Sequence, residues 1–372
     1  MTDRESCIVL NAISGVGFVK FNALITFFGS PSQVLEASRS ELAMVHGVGE
    51  KLSAEIADWR NTADFDNEMA RVEKSGARVI TWFDGDYPEV LRQLPDPPLC
   101  LYVSGELPDF DARDFIAIVG SRRASHYGRR MARTLSEQAV LAGWGTVSGL
   151  AFGVDFEAHD ATVKAGGITV AVLGGGLGRI HPQEHVPLAR AVVESGGAVI
   201  SEYPMMFPVN RCSFPRRNRI IAGLSRGVIV TEAGRGSGAV ITANIALDCG
   251  KTVFAVPGNV DNPMAEGCNA LLKNGSARLT ENFQDVLDEF NPGGPDDLFS
   301  LAEPKQEYDA AAPQLSEPQR RLVCYLRDNG ESSFDQIALA VDFPPGMLSG
   351  LLAELEMSFT VLQLPGRRYI LR

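Results

Sequence analysis

Between residues 115 and 258, six short apolar runs (FIAIVG, GWGTVSG, ITVAVLGGG, GAVISEYP, GVIVTEA and TVFAVPG) alternate with longer stretches of helical period. The intervening segments include SHYGRRMARTLSEQAVLA, AFGVDFEAHDATVKA, PQEHVPLARAVVES and SGAVITANIALDC. Continuous apolar strands separated by amphipathic helices have one economical solution, repeated βαβ units whose parallel sheet is covered on both faces. The expectation is an α/β fold over residues 76–290, a Rossmann-like, doubly wound, mostly parallel sheet. The lead-in ARVITWFDGDYPEVLRQLPDPPLCLYVSG predicts an extra edge region before the first core strand.

A chain of 372 residues exceeds a usual single domain, so further domains are expected on either side. Residues 1–75 read as a small helical domain of helix-hairpin-helix or SAM-like type. In MVHGVGEKLSAEIADW, Gly47 and Gly49 form a tight turn at a helix N-terminus, and AISGVGFVKFNALI repeats the theme around Gly15 and Gly17. With only Lys20 and Lys51 beside these turns, packing accounts for them better than phosphate binding. Residues 291–314 are rich in Pro, Gly, Asp and Ala and read as a linker. Residues 315–372 give three helices and a hairpin turning at Pro365-Gly366, which predicts a winged helix.

Every Gly-rich or basic motif follows a strand: GSRRAS, SGLAFG, GGGLGRIHP, SEYPMMFPVNRCSFPRRNR, TEAGRGSG and VPGN. In an open parallel sheet ligands bind outside the carboxyl ends of the strands, so the topology gathers these motifs on one rim. Spacing excludes the familiar nucleotide sites. GGGLGR has Arg179 where a dinucleotide fingerprint needs its last Gly, and CGKT lacks the first P-loop Gly because Ile245 stands there. No G-x-S-x-G elbow or H-E-x-x-H pair occurs, and His159 reads as a packing residue. The six cysteines form no C-x-x-C pair, which argues against a disulfide frame or a zinc site. No metal and no organic cofactor is expected.

The rim offers phosphate chemistry instead. The chain is acidic, with 34 Lys+Arg against 46 Asp+Glu, yet SFPRRNRIIAGLSR carries Arg216, Arg217, Arg219 and Arg226 without one acid. Arg122, Arg123, Arg129 and Arg130 follow the first core strand, and Phe214 stands between Arg211 and Arg217. Arginine forks onto phosphate and stacks on bases, and an aromatic face beside it suits single-stranded nucleic acid. There is no basic-apolar leader and no uninterrupted apolar run of membrane length, so a cytoplasmic protein away from the membrane is expected.

These residues resemble the DprA (Smf) family of DNA-processing proteins. The resemblance runs through VGSRRASHYG, SGLAFGVDFEAH, VAVLGGGLGRIHP, SEYP, FPRRNRIIAGLS, EAGRGSGAVITA and VPGNVDNPMAEGCNALLKNGSA. It implies a non-enzymatic protein that binds single-stranded DNA without sequence specificity and passes it to the RecA recombinase in DNA uptake, natural transformation and recombination. It also implies a homodimer formed through the Rossmann-like domain. Carried over by motif, Arg122, Arg211, Phe214, Asn218 and Arg219 would line the DNA pocket with Ser237 nearby. Ser121, Arg123, Gly149 and Arg217 of the same motifs complete the expected set. The family pattern G-L-D-x-x-Y-P, with Asn two residues on, departs here at Gly178, His181 and His185. The competing reading is a Rossmann-like enzyme that binds or cleaves nucleotides, with Glu232 or Glu202 as the ribose-side acid. A duplex-reading winged helix is disfavoured because its third helix carries Glu354 and Glu356 and no cation. Self-contact is placed near Leu271 and Leu272 at the far sheet edge.

Overall fold

The computed structural model describes residues 1–290 and, in the C-terminal region, 316–330, 332–341, 343–357, 360–364 and 368–371. The linker expected at 291–314 and the turn expected at Pro365-Gly366 lie outside the described residues. The chain divides into two compact units, Met1–Leu298 and Phe299–Arg372.

The first unit is built on nine strands: β1 (Arg78–Thr81), β2 (Cys100–Gly105), β3 (Phe115–Val119), β4 (Gly145–Ser148), β5 (Thr169–Val172), β6 (Ala198–Ser201), β7 (Gly227–Val230), β8 (Thr252–Ala255) and β9 (Arg278–Leu279). Their spatial order is β1-β2-β6-β5-β4-β3-β7-β8-β9. From β6 to β9 all pairings are parallel. The lead-in supplies the edge: β1 pairs antiparallel with β2, and β2 pairs antiparallel with β6. Every residue of β3 to β7 is buried, as continuous apolar strands with helices on both faces require. The chain winds outward from β3 in one direction through β4, β5 and β6, then returns to β7 on the other side of β3. That reversal opens a crevice at the carboxyl ends of β3 and β7.

The helices of residues 3–75 do not stand apart from the sheet. Cys7, Ile8, Leu10, Leu24, Leu42 and Ile56 share one buried core with Val79, Leu99, Cys100 and Tyr102 of the antiparallel edge. Gly47 and Gly15 take left-handed φ values of 84° and 92°, and Gly49 and Gly17 cap the helices Glu50–Ala57 and Phe18–Phe28. The Gly pairs therefore serve hairpin turns inside a shared core. Asn11 Nδ2 ties the first helix to the sheet by donating to the Glu202 carbonyl at 3.0 Å.

The C-terminal unit has helices Glu317–Asn329, Phe334–Val341 and Pro345–Met357 and strands β10 (Ser332–Ser333), β11 (Val361–Leu364) and β12 (Arg368–Leu371), ordered β10-β12-β11. Leu322, Leu326, Ile337, Leu348, Leu352, Val361 and Tyr369 form its core, a winged helix. Among the described residues no single helix is long and apolar enough to cross a membrane.

Candidate nucleic-acid interface

The crevice at the switch point holds a cavity of about 510 Å³. It is walled by the segments after β3 (Gly120 to Arg123), after β4 (Ala151, Asp155) and after β7 (Gly234 to Ala239), and by the helix Ser213–Gly223.

The G-S-R turn is fixed from below by Glu232. This buried carboxylate accepts from the Ser125 N–H at 2.7 Å and from Asn262 Nδ2 at 3.4 Å, while the Glu232 carbonyl accepts from the Ser121 N–H at 2.7 Å. Ser121 Oγ accepts from the Arg123 N–H at 3.0 Å, so its hydroxyl shapes the turn. Arg122 and Arg123 are left exposed at the cavity mouth. The Arg122 guanidinium lies over the Phe214 ring, 4.6 Å from its centroid, a cation–π contact that preorganises both planes.

The floor holds two buried charged side chains, Arg217 and Asp155. Arg217 Nη1 donates to the carbonyls of Gly149 at 2.6 Å and Val172 at 2.7 Å, and Nε donates to Asn218 Oδ1 at 3.1 Å. Arg217 thus braces the ends of β4 and β5. A Cβ on residue 149 would land on its guanidinium, so only glycine fits there. Asp155 Oδ2 accepts from the N–H groups of Gly149 at 3.2 Å and Ala151 at 3.4 Å. Burial pushes the Asp155 carboxyl up and pulls Arg217 down, and each charge opposes the other's shift. Between these anchors Leu150 takes φ 54°, the one left-handed non-glycine among the described residues. Its carbonyl accepts from His185 Nδ1 at 2.8 Å, with His185 packed between Phe152 and Phe156. The departure at His185 is therefore structural.

Of the ten residues read from the sequence, Ser121, Arg122, Arg123, Phe214, Arg217, Asn218 and Ser237 line the cavity, and Gly149 touches its floor through Arg217. Ser237 caps the helix Gly238–Asp248, and its buried hydroxyl has no hydrogen-bond partner among the described residues. Arg211 is exposed but does not line the cavity.

Arg219 is on the wrong face for the role given to it. Its Nη2 meets Glu202 Oε2 at 2.5 Å and its Nε meets Asp96 Oδ2 at 3.4 Å, in a separate crevice against Asn11, Gly17 and Phe18. Arg129 is likewise engaged, with Glu157 at 3.2 Å. Neither acid named for a nucleotide enzyme faces the cavity: Glu232 holds the turn and Glu202 holds Arg219. The sequence reading missed Arg235, exposed on the mouth, and Asp155, both within quoted motifs. Leu271 is buried and Leu272 packs on the core, whereas Leu279, Ile241 and Leu247 are among the apolar groups left exposed toward that end of the sheet.

Residues 78–291 match the family model described as DNA recombination-mediator protein A. The chain belongs to that family. Residues 306–367 match the DprA winged helix domain. Protein Smf of Escherichia coli K12 is 37% identical over 307 residues, covering 81% of this chain and 79% of that protein. The structure of DNA processing protein A from Streptococcus pneumoniae superposes with a TM-score of 0.65 at 31% identity, covering 78% of this chain and 98% of that one. A DNA processing protein A from Helicobacter pylori, described for its single-stranded DNA binding mode, superposes at 0.52 with 29% identity, covering 58% of this chain and 97% of that one.

Proposed function

We propose that this chain binds single-stranded DNA without sequence specificity in the switch-point cavity and delivers it to RecA in the cytoplasm, acting in DNA uptake, natural transformation and recombination. The observation that carries this reading is the Arg122–Phe214 plane pair at the cavity mouth, flanked by the exposed Arg123 and Arg235. Planes accept any base, cations grip the backbone, and neither reads sequence. Support comes from the single-strand binding named for the Helicobacter pylori relative and from the recombination-mediator description of the family model. The proposed role is binding without a chemical step. A homodimer through the Rossmann-like domain, using exposed Leu279, Ile241 and Leu247, would join two cavities and lengthen the held strand.

The test is fluorescence anisotropy with mixed-sequence single and double strands at several salt concentrations, followed by RecA ATP hydrolysis on strands coated with single-strand-binding protein. The expected result is a salt-sensitive preference for single strands and faster onset of hydrolysis. Equal affinity for duplex refutes the binding reading. Binding without acceleration of the cognate RecA refutes delivery.

A further inference from the structure

A second cavity, of about 700 Å³, shares no lining residue with the one at the switch point. Its walls come from the segment after β5 (Leu177 to His181, Gln183 and Val186) and from Pro208 and Val209 in the segment after β6. This is the turn where the chain departs from the family pattern at Gly178 and His181.

Backbone hydrogen bonds lock the two walls together. The Gly176 N–H donates to the Phe207 carbonyl at 3.0 Å, and the Gly178 N–H donates to the Met205 carbonyl at 2.8 Å. A Cβ on residue 178 would lie 2.9 Å from both the Met205 carbonyl oxygen and Met206 Sδ, so Met206, an exposed side chain, borders the lip.

The lining combines an aliphatic wall with uncommitted cationic and polar groups. Leu177, Ile180, Val186 and Val209 are half-buried, and Leu177 and Ile180 already pack on the core beside Leu150 and Leu173. Arg179 and His181 are exposed, and neither side chain has a hydrogen bond or ion pair among the described residues. Gly178 stands where the family pattern carries Asp, so that position places no carboxylate beside them. No Phe, Tyr or Trp lines this cavity, which therefore lacks the flat platform on which bases stack. Aliphatic walls suit an apolar side chain of a peptide, a guanidinium suits a carboxylate, and an exposed methionine adapts to varied partners.

We propose that this cavity is a docking site for an acidic peptide segment of a partner protein. One aliphatic or aromatic side chain of the peptide sits between Leu177, Ile180, Val186 and Val209, and neighbouring carboxylates meet Arg179 and His181. Charge complementarity selects this occupant, and the aliphatic wall separates it from a nucleic-acid strand. Because the two cavities have no residue in common, a strand and the partner can be held together. The inference does not depend on the single-strand reading above.

The test is fluorescence anisotropy on the full chain with three labelled probes: a short peptide with Asp on either side of a Leu-Phe pair, the same peptide with Lys for every Asp, and the same peptide with Ala for Leu and Phe. The acidic apolar peptide is expected to bind at least about tenfold more tightly than either of the others, the effect of one charged hydrogen bond or one buried apolar side chain. Arg179→Glu and Met206→Glu change exposed side chains; each is expected to weaken that peptide by about tenfold while keeping the wild-type Tm and the wild-type affinity for mixed-sequence single strands. Saturating oligothymidylate should leave peptide binding unchanged. Absence of binding by wild-type protein, or equal binding of the Lys or Ala peptide, overturns the proposal. Displacement of the peptide by oligothymidylate, or loss of strand affinity in Arg179→Glu, also overturns it and assigns the cavity to nucleic acid. The peptide series needs only wild-type protein, so a folding defect in a variant cannot mask the answer. Peptide binding by a wild-type protein that holds no strand would remove the single-strand reading and leave the docking site standing.

Discussion

Replacing Arg122 and Arg219 separately with alanine should separate grip on DNA from stability of the fold. Arg219 is 13% exposed and is held by Glu202, 11% exposed, and by Asp96, 39% exposed. Burial already pushes the Glu202 carboxyl up, with Arg219 the main opposing charge, and Glu202 Oε1 has no donor among the described residues. Removing the cation strands a buried carboxylate, a change that costs about 3–5 kcal/mol. Asp96 relaxes into water and Glu202 can take up a proton, so the lower figure applies. At about 2–4 °C per kcal/mol for a unit of this size, Tm should fall by roughly 6–12 °C. Arg122 has no ion pair among the described residues; its contact with Phe214 is worth about 0.5–1 kcal/mol, so Arg122→Ala should move Tm by only a few degrees. It should instead lose about 1–3 kcal/mol of strand affinity, roughly 5- to 150-fold, and flatten the salt dependence by about 0.7 in logarithmic slope. Scanning calorimetry and anisotropy on a labelled oligonucleotide measure the two effects. If Arg219→Ala keeps the wild-type Tm, or loses affinity as Arg122→Ala does while still folded, the assignment of these two arginines is wrong.

Two further outcomes follow from the geometry. The cavity lies wholly within Met1–Leu298, so a chain ending at residue 298 should fold and retain single-strand affinity to within about threefold by anisotropy; loss of most of the affinity would bring the winged helix into the binding site. His159 is buried with its Nδ1 against Thr169 Oγ1 at 2.7 Å, and burial pulls it from 6.5 to about 3. The folded state excludes a proton that the unfolded state accepts, so the contribution is complete above pH 6.5 and is lost as pH falls toward about 3, at a slope approaching 1.4 kcal/mol per pH unit. Denaturant titrations across that range should show a shallower acid loss for His159→Gln, and an unchanged slope would mean that another group controls it.

The sheet was legible because its signal is redundant. β3 to β7 are buried on both faces, so β3 and β7 read as unbroken apolar runs and β4 to β6 are interrupted only by Thr146, Ser148, Thr169 and Ser201, and the helices between them keep a 3.6-residue period. The close association of the N-terminal helices with the sheet was not legible. Their apolar residues match a small helical domain equally well, and only the tertiary structure shows that Tyr102 and Leu99 complete their core. Asp155 escaped notice for a related reason. An acid in the first turn of a helix is ordinary capping composition, and nothing local shows that the turn of Gly149 to Gly153 folds it back under a cavity.

The arginine block itself carried more information than a count of charges. Along the helix Ser213–Gly223, at about 100° per residue, Phe214, Arg217, Asn218 and Ile221 fall within an arc of roughly 100°, and these four line the cavity. Arg216 and Arg219 fall on the far side, where both border the crevice against the N-terminal helices. One short helix therefore joins the cavity floor to the anchor of the helical segment. That is why an acidic chain concentrates arginine there, and why only part of the cluster is free to meet a strand. The free cations come from turns after β3 and β7, Arg122, Arg123 and Arg235, which converge only because the winding of the sheet reverses between those strands. Sequence proximity marked the brace, and topology assembled the grip.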